Sequence, residues 1–306
     1  MTPSAEPLLR HVTCAHPGGL HRLAYWQWGE TDNPSVVMCV HGLTRQGRDF
    51  DTLSRALLER AGALGLSLRV VCPDVAGRGA SDWLGDAALY QPLTYAADML
   101  ALLTHLNGQQ RIDRLDWVGT SMGGIIGMLV AAHGQALPRP IERLVLNDVG
   151  PRLDWAGLAR IKAYVGRGAP FASLQEGLDA LRANMASFGP HSEQQWQALN
   201  TPMLKPTADG RWALHYDPAI AAPLRDLSEQ SNAQAGELMQ ALYQQISAQT
   251  LLLRGADSDL LSREAALAMT QCGPRPALIE FAGVGHAPTL MADDQLRAVL
   301  DFVLPA

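Results

Sequence analysis

The sequence predicts an α/β fold: a mostly parallel central sheet with helices on both faces and a helical cap inserted into it. Three observations carry this prediction. Short apolar runs closed by turn residues alternate with longer stretches of helical periodicity. The runs are continuously apolar, as strands buried on both faces require. The alternation stops after Asn147-Asp148-Val149-Gly150-Pro151 and resumes at Thr250.

The elements follow in order. Leu23 to Trp28, Ser35–Val40 and Leu68–Cys72 read as strands, and Leu115–Val118, Leu144–Leu146, Thr250–Leu253 and Ala277–Phe281 continue the series. Between them, helical spacing covers Phe50–Ala61, Thr94–Leu106, Met122–His133, Arg263–Thr270 and Asp293–Val303, with Thr94 as an N-cap. Residues 151–236 hold helical and loop-like segments, no convincing strand, and three of the seven tryptophans (Trp155, Trp196, Trp212). This excursion is expected to cover the sheet edge. Residues 1–150 and 237–306 then form the core, and the cap's tryptophans either line a pocket or pack the cap's own small core.

Composition narrows the function classes. The chain has 306 residues, 47% of them apolar, and a formal net charge of −6 with dispersed Lys and Arg. That balance argues against a nucleic-acid partner. No apolar run approaches the roughly 18 residues of a membrane span, and the start MTPSAEPLLR lacks the basic segment of a secretory signal. Cys14, Cys39, Cys72 and Cys272 form no CxxC pair, so reduced thiols in a cytoplasmic protein are expected, with no metal site. No cofactor is implied, and a homodimer is compatible with this reading.

The stretch DWVGTSMGGIIGM concentrates the chemistry. Gly119-Thr120-Ser121-Met122-Gly123 lies where a strand passes into a helix, the setting a G-x-S-x-G nucleophile needs. Glycines there let strand and helix approach closely around an exposed serine. A phosphate cradle is disfavoured because no G-x-x-x-x-G-K-[ST] exists. A serine nucleophile needs a base, and the base needs an orienting acid. His286, in a glycine-lined loop between the last strand and the last helix, is the candidate base. His133, His191 and His215 fall on or between helices, and His11, His16, His21 and His105 read as surface. For the acid, Asp257 and Asp259 both follow the strand ending at Gly255. Asp259, just before Leu-Leu-Ser and a helix start, is preferred. Asp148 is a third candidate, assigned instead to tying down the start of the cap.

Taken together, His41-Gly42, Pro73-Asp74-Val-Ala-Gly77-Arg78-Gly79-Ala-Ser81, the Ser121 elbow and the Gly-His286-Ala loop resemble the α/β-hydrolase superfamily over nearly the full chain. The resemblance implies the α/β-hydrolase fold and an oxyanion hole from the backbone N–H groups of Leu43 and Met122. One departure stands out: many relatives place the acid three residues beyond the strand-ending glycine, where this chain has Ser258. The resemblance further implies a serine esterase cleaving a small-molecule carboxylic ester through an acyl-enzyme, on Ser121, Asp259 and His286. His41, Gly42 and Arg45 are the candidate substrate-binding residues. A guanidinium at Arg45 or Arg48 reading a carboxylate would favour the alternative, a lactone, enol-lactone or C–C bond hydrolase. The competing reading is that these arginines pair with Asp49 or Asp51. The fold also serves as a non-catalytic receptor, which an intact serine–acid–histidine set argues against.

Overall fold

The computed structural model describes residues 6–305; residues 1–5, within the stretch read for a signal, and residue 306 lie outside the described residues. The strands are β1 (Leu8–His16), β2 (Gly19–Trp28), β3 (Ser35–Val40), β4 (Arg69–Pro73), β5 (Arg114–Thr120) and β6 (Arg143–Asn147), then β7 (Leu204–Pro206), β8 (Trp212–Leu214), β9 (Gln249–Gly255) and β10 (Ala277–Phe281). Eight of them form one sheet in the order β1-β2-β4-β3-β5-β6-β9-β10. From β4 to β10 neighbouring strands are parallel, and β1 and β2 form an antiparallel margin. β1 escapes the sequence reading because it is a margin strand whose residues are mostly exposed, leaving no continuous apolar run.

Two helical layers cover the sheet. α1 (Asp51–Ala63) and α10 (Asp293–Val303) pack on one face through Leu53, Leu57, Val299 and Val303. On the other face lie α2 (Pro92–Gln109), α3 (Met122–Ala132) and, further along the chain, α8 (Glu229–Tyr243) and α9 (Arg263–Met269). The start of α2 is set by Pro92 and not by Thr94: Gln91 is the N-cap, and proline's fixed φ and missing N–H suit the first turn.

Between β6 and β8 the chain forms α4 (Trp155–Tyr164), α5 (Leu174–Asn184) and α6 (Glu193–Asn200), followed after β8 by the short α7 (Ala222–Arg225). The β7–β8 hairpin, three residues per strand, was too short to leave a pattern in the sequence. Leu181, Met185, Met203 and Leu204 form a separate small core, against which Trp196 and Trp212 pack. α8 packs on α3, so the excursion ends before residue 229, and a boundary at residue 236 would cut that helix in two.

Buried polar side chains fix the loops at the carboxyl edge of the sheet. His41, fully buried, accepts the Val75 N–H at Nε2 (2.9 Å) and so carries its proton on Nδ1, which donates to the Gly42 carbonyl (2.7 Å). Burial pushes this imidazole down to about 3. Asp74 accepts N–H groups from Gly47 (2.7 Å) and Ala80 (2.8 Å) and the Trp26 indole (3.2 Å), joining the loops after β3 and β4. Elsewhere His21, read as surface, is buried against Asp98 at 3.1 Å; α2 covers the face of the β1–β2 hairpin that carries it.

Two predictions follow from this packing. A Cβ on Gly123 would lie 1.9 Å from the Val40 carbonyl oxygen, so Gly123→Ala must part α3 from β3. A stability loss of about 3 kcal/mol or more is expected by denaturant unfolding. For His41, the folded pKa of about 3 lies below the ordinary 6.5, so below pH 6.5 only the unfolded chain takes up this proton. Its contribution is therefore whole above that pH and is lost as pH falls towards 3. His41→Gln, whose amide can accept from Val75 and donate to Gly42, should flatten that part of the stability–pH curve.

Candidate active site

Ser121 sits at the junction of β5 and α3 with φ 52° and ψ −118°, a conformation that L-residues seldom adopt. The strain is held by packing on both sides. A Cβ on Gly119 would meet the Gly123 carbonyl oxygen at 2.4 Å, so strand and helix touch backbone to backbone. The Ser121 N–H donates to the Asn147 carbonyl (2.9 Å), anchoring the elbow to the end of β6. The Asn147 side chain in turn donates to Thr120 Oγ1 (3.0 Å) and to the Pro288 carbonyl (2.8 Å), joining the elbow to the loop that carries His286.

His286 lies between β10 and α10, as its sequence position suggested, and its Nε2 is 2.9 Å from Ser121 Oγ. Its Nδ1 is 2.8 Å from Asp148 Oδ2. Asp148, directly after β6, is fully buried and has φ 56°. Three donors converge on its carboxylate: the His286 imidazole, the Gly255 N–H at 3.0 Å and the Ser258 hydroxyl at 2.7 Å.

This corrects the choice of acid. Asp259 forms no hydrogen bond with His286, whose Nδ1 partner is Asp148. Its carboxylate is bound by the Arg160 guanidinium, with Nε at 2.5 Å and a second nitrogen at 2.8 Å, which holds it below the usual carboxylate range. Asp257 is exposed on the loop surface. The signal for Asp148 was present in the chain. Ser258 stands where the resemblance implies an acid, so a carboxylate from elsewhere on the same edge was the remaining option. β6 lies between β5 and β9, so a residue just past its end reaches both the histidine and Ser258.

The expected substrate residues divide. Gly42 lines the cleft with Leu43 and Ser121. His41 is sealed beneath the loop with both ring nitrogens bonded, so it shapes the Gly42 turn and meets no ligand. Arg45 borders the cleft, but its donors are bound within the protein. Asp49 takes two of them at 2.7 Å each, the Leu199 carbonyl one at 2.8 Å and the Asn200 side chain one at 3.1 Å. Arg48 pairs with Asp51 and with Glu6. The guanidinium reading of a substrate carboxylate therefore loses both of its residues, and Arg45 instead ties the β3 loop to α6.

Met122 is the first residue of α3, so its N–H is among the helix amides with no acceptor inside the helix. Leu43, in the turn after β3, lines the same cleft as Ser121. Ile161, Tyr164, Met185, Phe188 and Leu199 form the opposite wall, and none of Trp155, Trp196 and Trp212 reaches it. Two contacts join that wall to the histidine loop. The Gly285 N–H donates to the Ser187 carbonyl (2.6 Å), and His191 Nε2 lies 2.7 Å from Thr289 Oγ1. Among the described residues the one grouping suited to a metal is Cys14, His21 and Asp98, on β1, β2 and α2 and outside this cleft.

Comparison with known proteins places this architecture. The model of the alpha/beta hydrolase family matches residues 37–299. The chain is 44% identical over 303 residues to a 3-hydroxybutyrate-oligomer hydrolase of Cupriavidus necator, covering 98% of each protein. Among solved structures, an alpha/beta hydrolase from Novosphingobium aromaticivorans is 34% identical with a TM-score of 0.78, covering 96% of each chain. An E-2-(acetamidomethylene)succinate hydrolase shares the fold, with a TM-score of 0.75 at 19% identity over 97% of this chain and 99% of that one. The chain belongs to the alpha/beta hydrolase family.

Proposed function

We propose that this protein is a serine esterase that hydrolyses the ester bonds of short linear 3-hydroxybutyrate oligomers, using Ser121, His286 and Asp148. The observation that carries the chemistry is the continuous chain from Ser121 Oγ through His286 to Asp148, with links of 2.9 and 2.8 Å. His286 Nε2 takes the Ser121 proton as Oγ attacks the ester carbonyl. Asp148 keeps the Nδ1–H in place and balances the imidazolium. The N–H groups of Leu43 and Met122 receive the charge that forms on the carbonyl oxygen, each worth about 3–4 kcal/mol. His286 returns the proton to the departing hydroxyl, and the acyl-enzyme is cleared by a water that gives its proton to the same nitrogen.

The substrate class rests on the Cupriavidus necator relative and on the cleft. A 3-hydroxybutyrate chain alternates methyl-bearing carbons with ester carbonyls. A wall of Ile161, Met185, Phe188 and Leu199, with Thr44, Thr120 and Thr289 among the lining polar groups, suits that pattern. Residues 151–228 would serve as the lid and the wall for the acyl unit. Cys14, Cys39 and Cys72 are buried free thiols, which suits a cytoplasmic setting; no described helix is long and apolar enough to cross a membrane. The lactone and C–C alternative loses its support with the engagement of Arg45 and Arg48.

Ser121→Ala should abolish release of monomer from a linear 3-hydroxybutyrate trimer, followed chromatographically, and also hydrolysis of p-nitrophenyl butyrate. Asp148→Asn should lower kcat by about 10⁴-fold, whereas Asp259→Asn should stay within a few-fold of the parent. The opposite ranking of the two aspartates would return the acid to the β9 loop. Hydrolysis of the p-nitrophenyl ester with the trimer left intact would retain the triad and reject the oligomer.

A further inference from the structure

Arg78 has no part in the steps above, yet it is fully buried among them. Its Nε donates to the Leu43 carbonyl at 2.9 Å, and one terminal nitrogen donates to the Ala76 carbonyl (2.6 Å) and the Tyr95 hydroxyl (2.9 Å). The other terminal nitrogen lies 3.7 Å from Met122 Sδ. The guanidinium thus touches both residues whose amides are assigned to the oxyanion hole. It also lies over the rings of Tyr95 (4.9 Å) and Tyr90 (5.8 Å).

All of these oxygen partners are neutral. Among the described residues no carboxylate forms an ion pair with Arg78. The buried Asp217 carboxylate, which accepts from the Tyr90 hydroxyl (2.5 Å) and the Ala219 N–H (2.9 Å), keeps its charge and faces Arg78 only through that tyrosine. A buried guanidinium with no carboxylate bonded to it is costly, and a neutral donor would serve the same carbonyls at less cost. A positive charge held there is available to an anion formed in the neighbouring cleft. The oxyanion formed beside Leu43 and Met122 is such an anion. The backbone around Arg78 is also tethered: the Gly79 N–H donates to the His215 carbonyl (2.9 Å), and the Gly77 carbonyl accepts from Asp217 N–H (2.7 Å).

We propose that Arg78 is a positioning residue of the oxyanion hole, which sets the Leu43 turn by hydrogen bonding and whose positive charge, bonded to no carboxylate, favours the tetrahedral anion over the neutral ester. The proposal rests on the serine-esterase reading and goes beyond it. It predicts a loss in kcat with substrate binding spared, because the ground-state carbonyl carries little charge.

Arg78→Gln and Arg78→Lys should be assayed with p-nitrophenyl butyrate beside Ser121→Ala. The readouts are kcat, KM, melting temperature and the inhibition constant of butylboronic acid, which forms a tetrahedral anion on a serine. For Arg78→Gln we expect kcat to fall about 10- to 100-fold, KM to stay within about threefold, and boronate inhibition to weaken in parallel with kcat. Lysine, which keeps the charge, should recover most of the loss. Parent-like kcat in Arg78→Gln, or equal losses in both variants that follow their melting temperatures, would overturn the proposal. If the glutamine variant does not fold, the lysine variant decides. Near-parental kcat and boronate affinity support the role, and a hundredfold loss at unchanged melting temperature refutes it. Activity surviving in Ser121→Ala would remove the serine reading and this inference with it; a silent Ser121→Ala beside a fully active Arg78→Gln would remove the inference alone.

Discussion

The site depends on one close approach: the first turn of α3 lies against the carboxyl ends of β3 and β5 with no side chain between them. Gly119 and Gly123 make that possible, since a Cβ at either would fall within 2.4 Å of a backbone carbonyl oxygen. The approach forces Ser121 to φ 52° and puts its hydroxyl at the mouth of the cleft. The same approach sets the Met122 N–H beside the turn after β3. The proposed nucleophile and oxyanion donor therefore arise from one packing event. The cost of the strained serine is met by the sheet and helix contacts around it, not by interactions of the serine itself.

A second layer of buried polar groups turns that edge into a defined site. His41 and Asp74 each join neighbouring loops through hydrogen bonds that no solvent competes for. Asn147 ties the elbow to the histidine loop, and Arg45 ties the β3 turn to α6. These residues look like ligand-binding groups in a sequence, because polar side chains at the carboxyl edge of a parallel sheet usually meet ligands. Their burial and their hydrogen bonds within the protein separate them from groups free to meet a ligand in the cleft.

Much of this was legible in the chain, and the failures share a cause. Ser121 and His286 were readable because each is marked by local sequence: glycines at fixed spacing, and a glycine-lined loop between a strand and the last helix. The continuous apolar runs gave the parallel strands for the same reason. Asp148 was misjudged because its role is defined by a neighbour in space. It follows β6, and only the strand order, with β6 beside β9, shows that its carboxylate lies under the histidine. Asp259 looked suitable by position along the chain, but its partner Arg160 comes from α4, 99 residues away. β1, β7 and β8 were missed on different grounds, being exposed or too short for periodicity to register.

Ser258 shows how a side chain after β9 can complete a carboxylate that comes from β6. A carboxylate after β6 and a side chain after β9 converge on the same point, because the two strands are adjacent and parallel. With the acid on β6, the β9 position needs only a donor that completes the carboxylate's hydrogen bonding. The Ser258 hydroxyl supplies it at 2.7 Å, and the Gly255 N–H occupies the other oxygen. An acidic residue at 258 would instead set two carboxylates side by side in a buried place, where one must take up a proton. The loop after β9 therefore makes no hydrogen bond to the histidine, which is held by Asp148. Asp259 in that loop binds Arg160 of α4, so the loop after β9 joins the sheet to the wall of the cleft.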